Sequence, residues 1–234
     1  MTISRSGHNL MFVISQPRSG STLLQKMLGA HSTIQTSVEP WLLLPLMYAL
    51  KEKGIRAEYN EYNVNLDILA FLDAVPGGRE RYMDGVRDMA GGIYNAAMED
   101  GKRYFLDKTP RYYLIIPELA ELFPEAKFIL LFRNPLSVLA SMQSTWRSVF
   151  GLLHSSLRMD LLKAPDLLIA GQKLLGDRAR CIHYESLVTC PEEELGRICE
   201  WLSIPFEPSM IVYGGIVKEK LALGYQGTIY EKEP

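Results

Sequence analysis

Four short apolar runs, each followed by a turn and then by a segment of helical period, constrain this chain more than any other feature. The runs are Leu10–Ser15, 104–106, Lys127–Phe132 and 180–184; the helical segments after them are 21–30, 112–123, 136–146 and Pro191–Leu202. A strand that is apolar along its whole length has both faces covered, and strands alternating with helices are joined by crossovers, not hairpins. The expected architecture is α/β: a doubly wound parallel sheet with helices on both faces, in a single domain. The 234 residues, 47% of them hydrophobic, are enough for one full core.

Charge and composition narrow the partners. With Lys+Arg 25 and Asp+Glu 27 the formal net charge is −2, and no basic run occurs, so no nucleic-acid partner is expected. An anionic ligand must then be held by a few local groups. The stretch 41–50 is interrupted by Pro45 and followed by Lys51, Glu52 and Lys53, far short of the ~20 residues that cross a bilayer. The N-terminal apolar stretch lacks a signal peptide's length and cleavage site. No membrane partner and a cytoplasmic location are therefore expected. Cys181, Cys190 and Cys199 form no metal or redox spacing and read as buried free thiols. The glycine-rich stretch 73–92 reads as a loop or broken helices, and 150–175 as a helical, lid-like stretch broken by Pro165.

The first run, LMFVIS, passes through QPRSGST into a helical segment. Strand, small-residue loop and helix make the layout of a P-loop, in which backbone N–H groups and the helix N-terminus converge on one anion. Against the triphosphate-binding pattern G-x-x-x-x-G-K-[ST], Ser15 replaces the first glycine and Gly20 keeps the second. Ser21 stands in place of the lysine, and Thr22 follows. The cation has moved inside the loop as Arg18, beside Ser19. A nucleotide-dependent kinase also needs a strand-end Asp for Mg²⁺, whereas KFILLFRNP ends in Arg133, so no metal site is expected. Taken alone, the loop is equally consistent with an ordinary Ser/Gly turn bearing a solvated arginine.

Arg133 lies at the carboxyl edge of its strand, where doubly wound sheets bind ligands. Ser141, eight residues on, falls about two turns into the next helix. A guanidinium and a hydroxyl suit a second phosphate; a helix-capping pair is the alternative. Arg147 is a further candidate.

Together these motifs resemble the PAPS-dependent sulfotransferases (PAPS, 3′-phosphoadenosine-5′-phosphosulfate), closest to the tyrosylprotein sulfotransferase branch and its bacterial relatives, from about Phe12 to Met210. The resemblance implies that Arg18, Ser19, Gly20, Ser21 and Thr22 receive the 5′-phosphosulfate of PAPS, and that Arg133 and Ser141 hold its 3′-phosphate. It places Tyr184, in HYESLVTCPEEEL, on the adenine side. It implies Glu39, in TSVEPW, as general base and Lys108, in LDKTP, on the bridging oxygen, with Arg18 also neutralising charge. The implied reaction is in-line sulfuryl transfer to an acceptor hydroxyl, with no metal. His31, His154 and His183 are alternative bases, since some branches use histidine. A PAPS-binding protein without turnover is another reading.

Two departures from the family pattern matter. The tyrosylprotein branch carries arginines after its Glu; PWLLLPLMYAL stands here instead, so a hydroxyl acceptor with an apolar portion is expected over an acidic tyrosine peptide. Many members also close a basic, glycine-containing segment over the nucleotide, for which Lys218, Lys220 and Gly224 are the only counterparts.

Overall fold

The computed structural model describes residues 2–37, 39–51, 61–146 and 155–212. Five strands, β1 (Leu10–Ser15), β2 (Ile34–Thr36), β3 (Tyr104–Lys108), β4 (Lys127–Phe132) and β5 (Ala179–His183), pair in parallel in the order β2-β3-β1-β4-β5. The central strand β1 is flanked by β3, with Val13 opposite Lys108, and by β4, with Ser15 opposite Leu131. The chain runs from β1 outward to β2, returns to β3, then crosses to β4 on the other side, which makes the doubly wound order.

Side chains in a strand alternate between faces, and here each face has its own core. Leu10, Phe12, Ile14, Phe105, Phe128 and Leu130 face one side; Met11, Val13, Leu106, Ile129 and Leu131 face the other. The first face is covered by α2 (Leu43–Tyr48), α4 (Gly78–Ala97), α5 (Ile116–Leu122) and α8 (Ala164–Leu175). The second is covered by α1 (Ser21–Gly29), α9 (Tyr184–Thr189) and α10 (Pro191–Leu202). The remaining α-helices among the described residues are α3 (Glu61–Ala74), α6 (Pro135–Trp146) and α7 (Ser155–Leu162). Phe12 stacks on Phe128 at 5.3 Å between ring centroids. Each such fully buried side chain contributes about 1.5–3 kcal/mol relative to exposure, so β1 is the most firmly held segment of the sheet.

Several local expectations need correction. Strand β2 is only IQT, too short and too polar to stand out as an apolar run. The helical segment 112–123 is two pieces, a 3₁₀ turn at Pro110–Leu114 and then α5, because Pro117 fits only in a helix's first turn. Of the two readings of 73–92 the broken helices hold and the loop does not: the end of α3 and a break at 75–77 are followed by α4, twenty residues long. Its apolar residues Met83, Val86, Ala90 and Tyr94 recur at helical spacing and bury against the sheet, and this outweighs its glycines. Among the described residues, alanine methyl groups at Gly85 and Gly92 would meet nothing within 4 Å. The double variant Gly85→Ala/Gly92→Ala is expected to stabilise by about 0.5–1 kcal/mol per site, read as a raised melting temperature.

The second half of the lid-like stretch, α8, belongs to the packed helical layer: Ala164, Leu168 and Leu175 join the core. Cys199 is buried, but Cys190 is exposed, contrary to the buried thiols expected, and neither they nor Cys181 is bridged. No described helix is long and apolar enough to cross a membrane.

Candidate functional site

All strands being parallel, their carboxyl ends meet at one edge of the sheet, and each of the ten expected site residues lies at that edge or just beyond it. Residues 15–22 leave β1, Glu39 follows β2, Lys108 ends β3, Arg133 follows β4 with Ser141 on α6, and Tyr184 follows β5. The chain gathers residues from five separate segments into one place.

The loop after β1 is curled by two left-handed residues, Arg18 (φ 70) and Gly20 (φ 95), on either side of Ser19. The Ser19 amide donates to the Gln16 carbonyl at 3.2 Å and closes the turn. Helix α1 then starts with no side-chain cap, so its positive end faces the loop. Among the described residues, the Ser15 and Ser19 hydroxyls and Nε of Arg133 are buried without a hydrogen-bond partner. Buried polar groups without partners are costly, and donors in a cradle of this kind fit an anion. Ser21 is nearly buried and Thr22 exposed.

Gly20 is doubly required. Beyond its positive φ, a Cβ there would collide with the ring of Tyr184. Gly20→Ala is expected to cost about 1–3 kcal/mol of stability and to push Tyr184 off the loop; thermal unfolding checks the first effect and the NMR shifts of the Tyr184 ring the second.

Arg133 stacks over that same Tyr184 ring at 4.2 Å and donates through Nη1 to the Arg18 carbonyl at 2.9 Å. Arg18 in turn donates through Nε to the Ser141 hydroxyl at 3.2 Å. Arg18 thus links the loop to the Arg133–Ser141 pair. A cleft of ≈ 390 Å³ opens beside them, lined among others by Gln16, Ser19, Arg133, His183 and Glu185. A larger depression of ≈ 630 Å³ lies around α4, where Arg79, Arg87 and Glu121 line it, and shares no residue with this site.

On the other side of β1, Lys108 forms an ion pair with Glu39. Lys108 is 3% exposed. Burial pulls its ammonium below the ordinary lysine range, and the Glu39 carboxylate acts against that fall. Of the alternative bases, His31 lies before β2, at the opposite sheet edge, with its Nε2 2.8 Å from the Pro205 carbonyl. His183 is exposed at the end of β5. His154, Arg147 and the residues Lys218, Lys220 and Gly224 lie outside the described residues.

Two groups escaped the sequence reading. Asp160 of α7 is buried and takes Arg111 through two bonds, Nε at 3.0 Å and Nη2 at 2.6 Å, and the Tyr113 hydroxyl at 2.5 Å. Its backbone carbonyl accepts from the Gln16 amide at 2.8 Å, which ties α7 to the start of the loop. The other is Asp107. A carboxylate does stand near the end of a strand beside β1, but it is fully buried and its oxygens are engaged by Tyr94, Thr109 and Tyr112.

Residues 11–208 match the model of the Sulfotransferase family. This chain belongs to that sulfotransferase family. It is 31% identical over 227 residues to the nodulation protein NoeE of Sinorhizobium fredii, an alignment that covers 88% of this chain and 52% of that protein. It is 28% identical over 207 residues to protein-tyrosine sulfotransferase 1 of Danio rerio, covering 86% of this chain and 55% of that one. The sulfotransferase chain thus spans about half the length of these curated relatives. Among solved structures it is similar to the sulfotransferase domain from the curacin biosynthetic pathway, with a TM-score of 0.58 and 25% identity, covering 87% of this chain and 77% of that one.

Proposed function

We propose that this chain transfers a sulfuryl group from PAPS to the hydroxyl of an acceptor with an apolar portion. The observation that carries this reading is the continuity of the strand-end edge: an anion cradle with unpartnered buried donors, joined through Arg18 to Arg133 and Ser141, beside the Lys108–Glu39 pair on the adjoining strand. Two anion-holding sets and one acid–base pair are what a donor with two phosphate ends and a reacting centre requires.

In this reading Ser19, Ser21, Thr22, the loop amides and the α1 N-terminus bind the 5′ end of the donor. Arg133 and Ser141 hold the 3′-phosphate, the planar guanidinium giving two parallel bonds where a lysine gives one point charge. Tyr184, packed against Gly20 and under Arg133, offers a flat wall for the base. PAPS supplies the sulfuryl group and leaves as adenosine 3′,5′-bisphosphate. Glu39 accepts the proton of the acceptor hydroxyl. Lys108 and Arg18 stabilise negative charge on the bridging and sulfuryl oxygens from fixed positions.

The residues after Glu39 favour an apolar acceptor. Trp41 is 37% exposed, and the guanidinium near its ring, Arg111 at 6.0 Å, is already paired with Asp160. The test is transfer of labelled sulfate from PAPS to a panel holding 2-naphthol, a long-chain alcohol, N-acetylglucosamine and an acidic tyrosine peptide. Product on the phenol or alcohol supports the reading. A preference for the acidic peptide contradicts the acceptor assignment, and product on none of them contradicts transfer.

A further inference from the structure

Asp107 sits one residue before Lys108 and is 0% exposed, yet none of the roles above uses it. Its oxygens accept three hydroxyl bonds: Thr109 Oγ1 at 2.8 Å on Oδ1, and the Tyr94 and Tyr112 hydroxyls at 2.7 and 3.3 Å on Oδ2. Two of these hydroxyls also accept backbone amides from the segment after Glu39. Leu43 N–H donates to the Tyr112 hydroxyl at 3.0 Å, and Trp41 N–H donates more weakly to Thr109 Oγ1 at 3.4 Å.

A hydroxyl has one proton to give. By drawing the protons of Thr109 and Tyr112 to itself, Asp107 leaves their lone pairs for Trp41 and Leu43. Burial, with Asp107 close by, pushes the Tyr94 and Tyr112 phenols up, so they stay donors. Burial pushes Asp107 itself up to about 6, so at pH 7.5 it is a carboxylate that accepts at both oxygens. Trp41 has φ 55, a left-handed conformation that a bulky residue keeps only where its surroundings over-determine it.

We propose that Asp107 is a positioning residue for transfer: through Thr109 and Tyr112 it fixes the backbone of Trp41 and Leu43, and so holds Glu39 against Lys108. The role in transfer rests on the reading of Glu39 as base; the hydroxyl relay does not. Asparagine in its place would turn an amide donor on Thr109 or on the two tyrosine hydroxyls, and a hydroxyl so met must rotate its proton away from position 107, which disturbs the lone pair it offers to its backbone N–H.

The test is amide exchange by NMR at pH 7.5 on the full chain and on Asp107→Asn, Tyr112→Phe, Thr109→Val and Thr109→Ser. Protection at Leu43 is expected to fall about tenfold or more in Tyr112→Phe, and at Leu43, Trp41 or both in Asp107→Asn, with the β1 amides unchanged. Thr109→Val should expose Trp41 alone, and Thr109→Ser should restore it. With the best acceptor of the panel, kcat should fall about tenfold to a hundredfold in Asp107→Asn, since a displacement near 1 Å has that effect, while bisphosphate Kd stays within about twofold. If Asp107→Asn does not fold, the single-hydroxyl variants decide the relay. Unchanged exchange at Leu43 in Tyr112→Phe overturns the relay, and unchanged kcat in Asp107→Asn with altered exchange overturns its role in transfer. Failure of the wild type to bind the bisphosphate would instead remove the reading of the site, leaving the exchange result standing.

Discussion

Glu39→Gln is expected to lower kcat for sulfuryl transfer by about 10²–10⁴-fold, the usual contribution of a positioned general base, with bisphosphate affinity nearly unchanged. Glutamine keeps the size of the side chain and an oxygen for Lys108, but it cannot take the acceptor's proton. It also removes the countercharge of a buried lysine. Lys108, already held below its ordinary range by burial, would then fall further, and the variant should melt lower than wild type. Single-turnover rates, bisphosphate titration and thermal unfolding separate these effects. A rate within about threefold of wild type removes Glu39 as base and turns attention to His183, which also stands at the carboxyl edge.

Arg133→Ala is the second large effect. It removes the stack on Tyr184 and the bond to the Arg18 carbonyl, as well as the guanidinium proposed for the 3′-phosphate. Truncating one partner of a hydrogen-bonded charge pair costs about 2–5 kcal/mol, so bisphosphate affinity should fall by about 30-fold or more. Arg133 is only partly buried, so the fold should survive. Arg133→Lys should recover little of the loss, because an ammonium on a flexible stem neither stacks on Tyr184 nor makes two parallel bonds. Isothermal titration with the bisphosphate reads both variants.

Strands β1 and β4 and helix α10 fall on their expected boundaries because each signal is local: a continuous apolar run, or Pro191 followed by three glutamates at a helix start. What the sequence hides is what tertiary contacts decide. Strand β2 exists because Ile34 and Thr36 pair with Tyr104 and Leu106 across the sheet, not because IQT favours a strand. Helix α4 tolerates its glycines because Met83, Val86, Ala90 and Tyr94 bury one face. Arg18, Gly20 and Arg133 are legible because parallel strands present their ends, and the residues after them, at one edge, whereas Lys108 and Tyr184 are legible only through the resemblance to the sulfotransferases.

Asp107 and Asp160 were not legible, though both lie in or near segments that drew notice. Single aspartates carry no periodic or motif signal. Their importance comes from Tyr94, Tyr112, Tyr113 and Arg111, which only the folded chain brings to them. Both β4 and β3 flank β1; β4 is followed by Arg133, and the one aspartate of β3, Asp107, is committed to hydroxyl groups.

The central claim, that this edge is built for a 3′-phosphorylated adenosine donor, is tested most directly by thermal unfolding with adenosine 3′,5′-bisphosphate or with ATP and Mg²⁺, on wild type and Arg133→Ala. At 100-fold excess over its Kd, a ligand of the folded state adds about 2.7 kcal/mol. The account predicts a clear rise in melting temperature with the bisphosphate, lost in Arg133→Ala, and little effect of ATP with Mg²⁺. A rise with ATP and Mg²⁺ but none with the bisphosphate would contradict it.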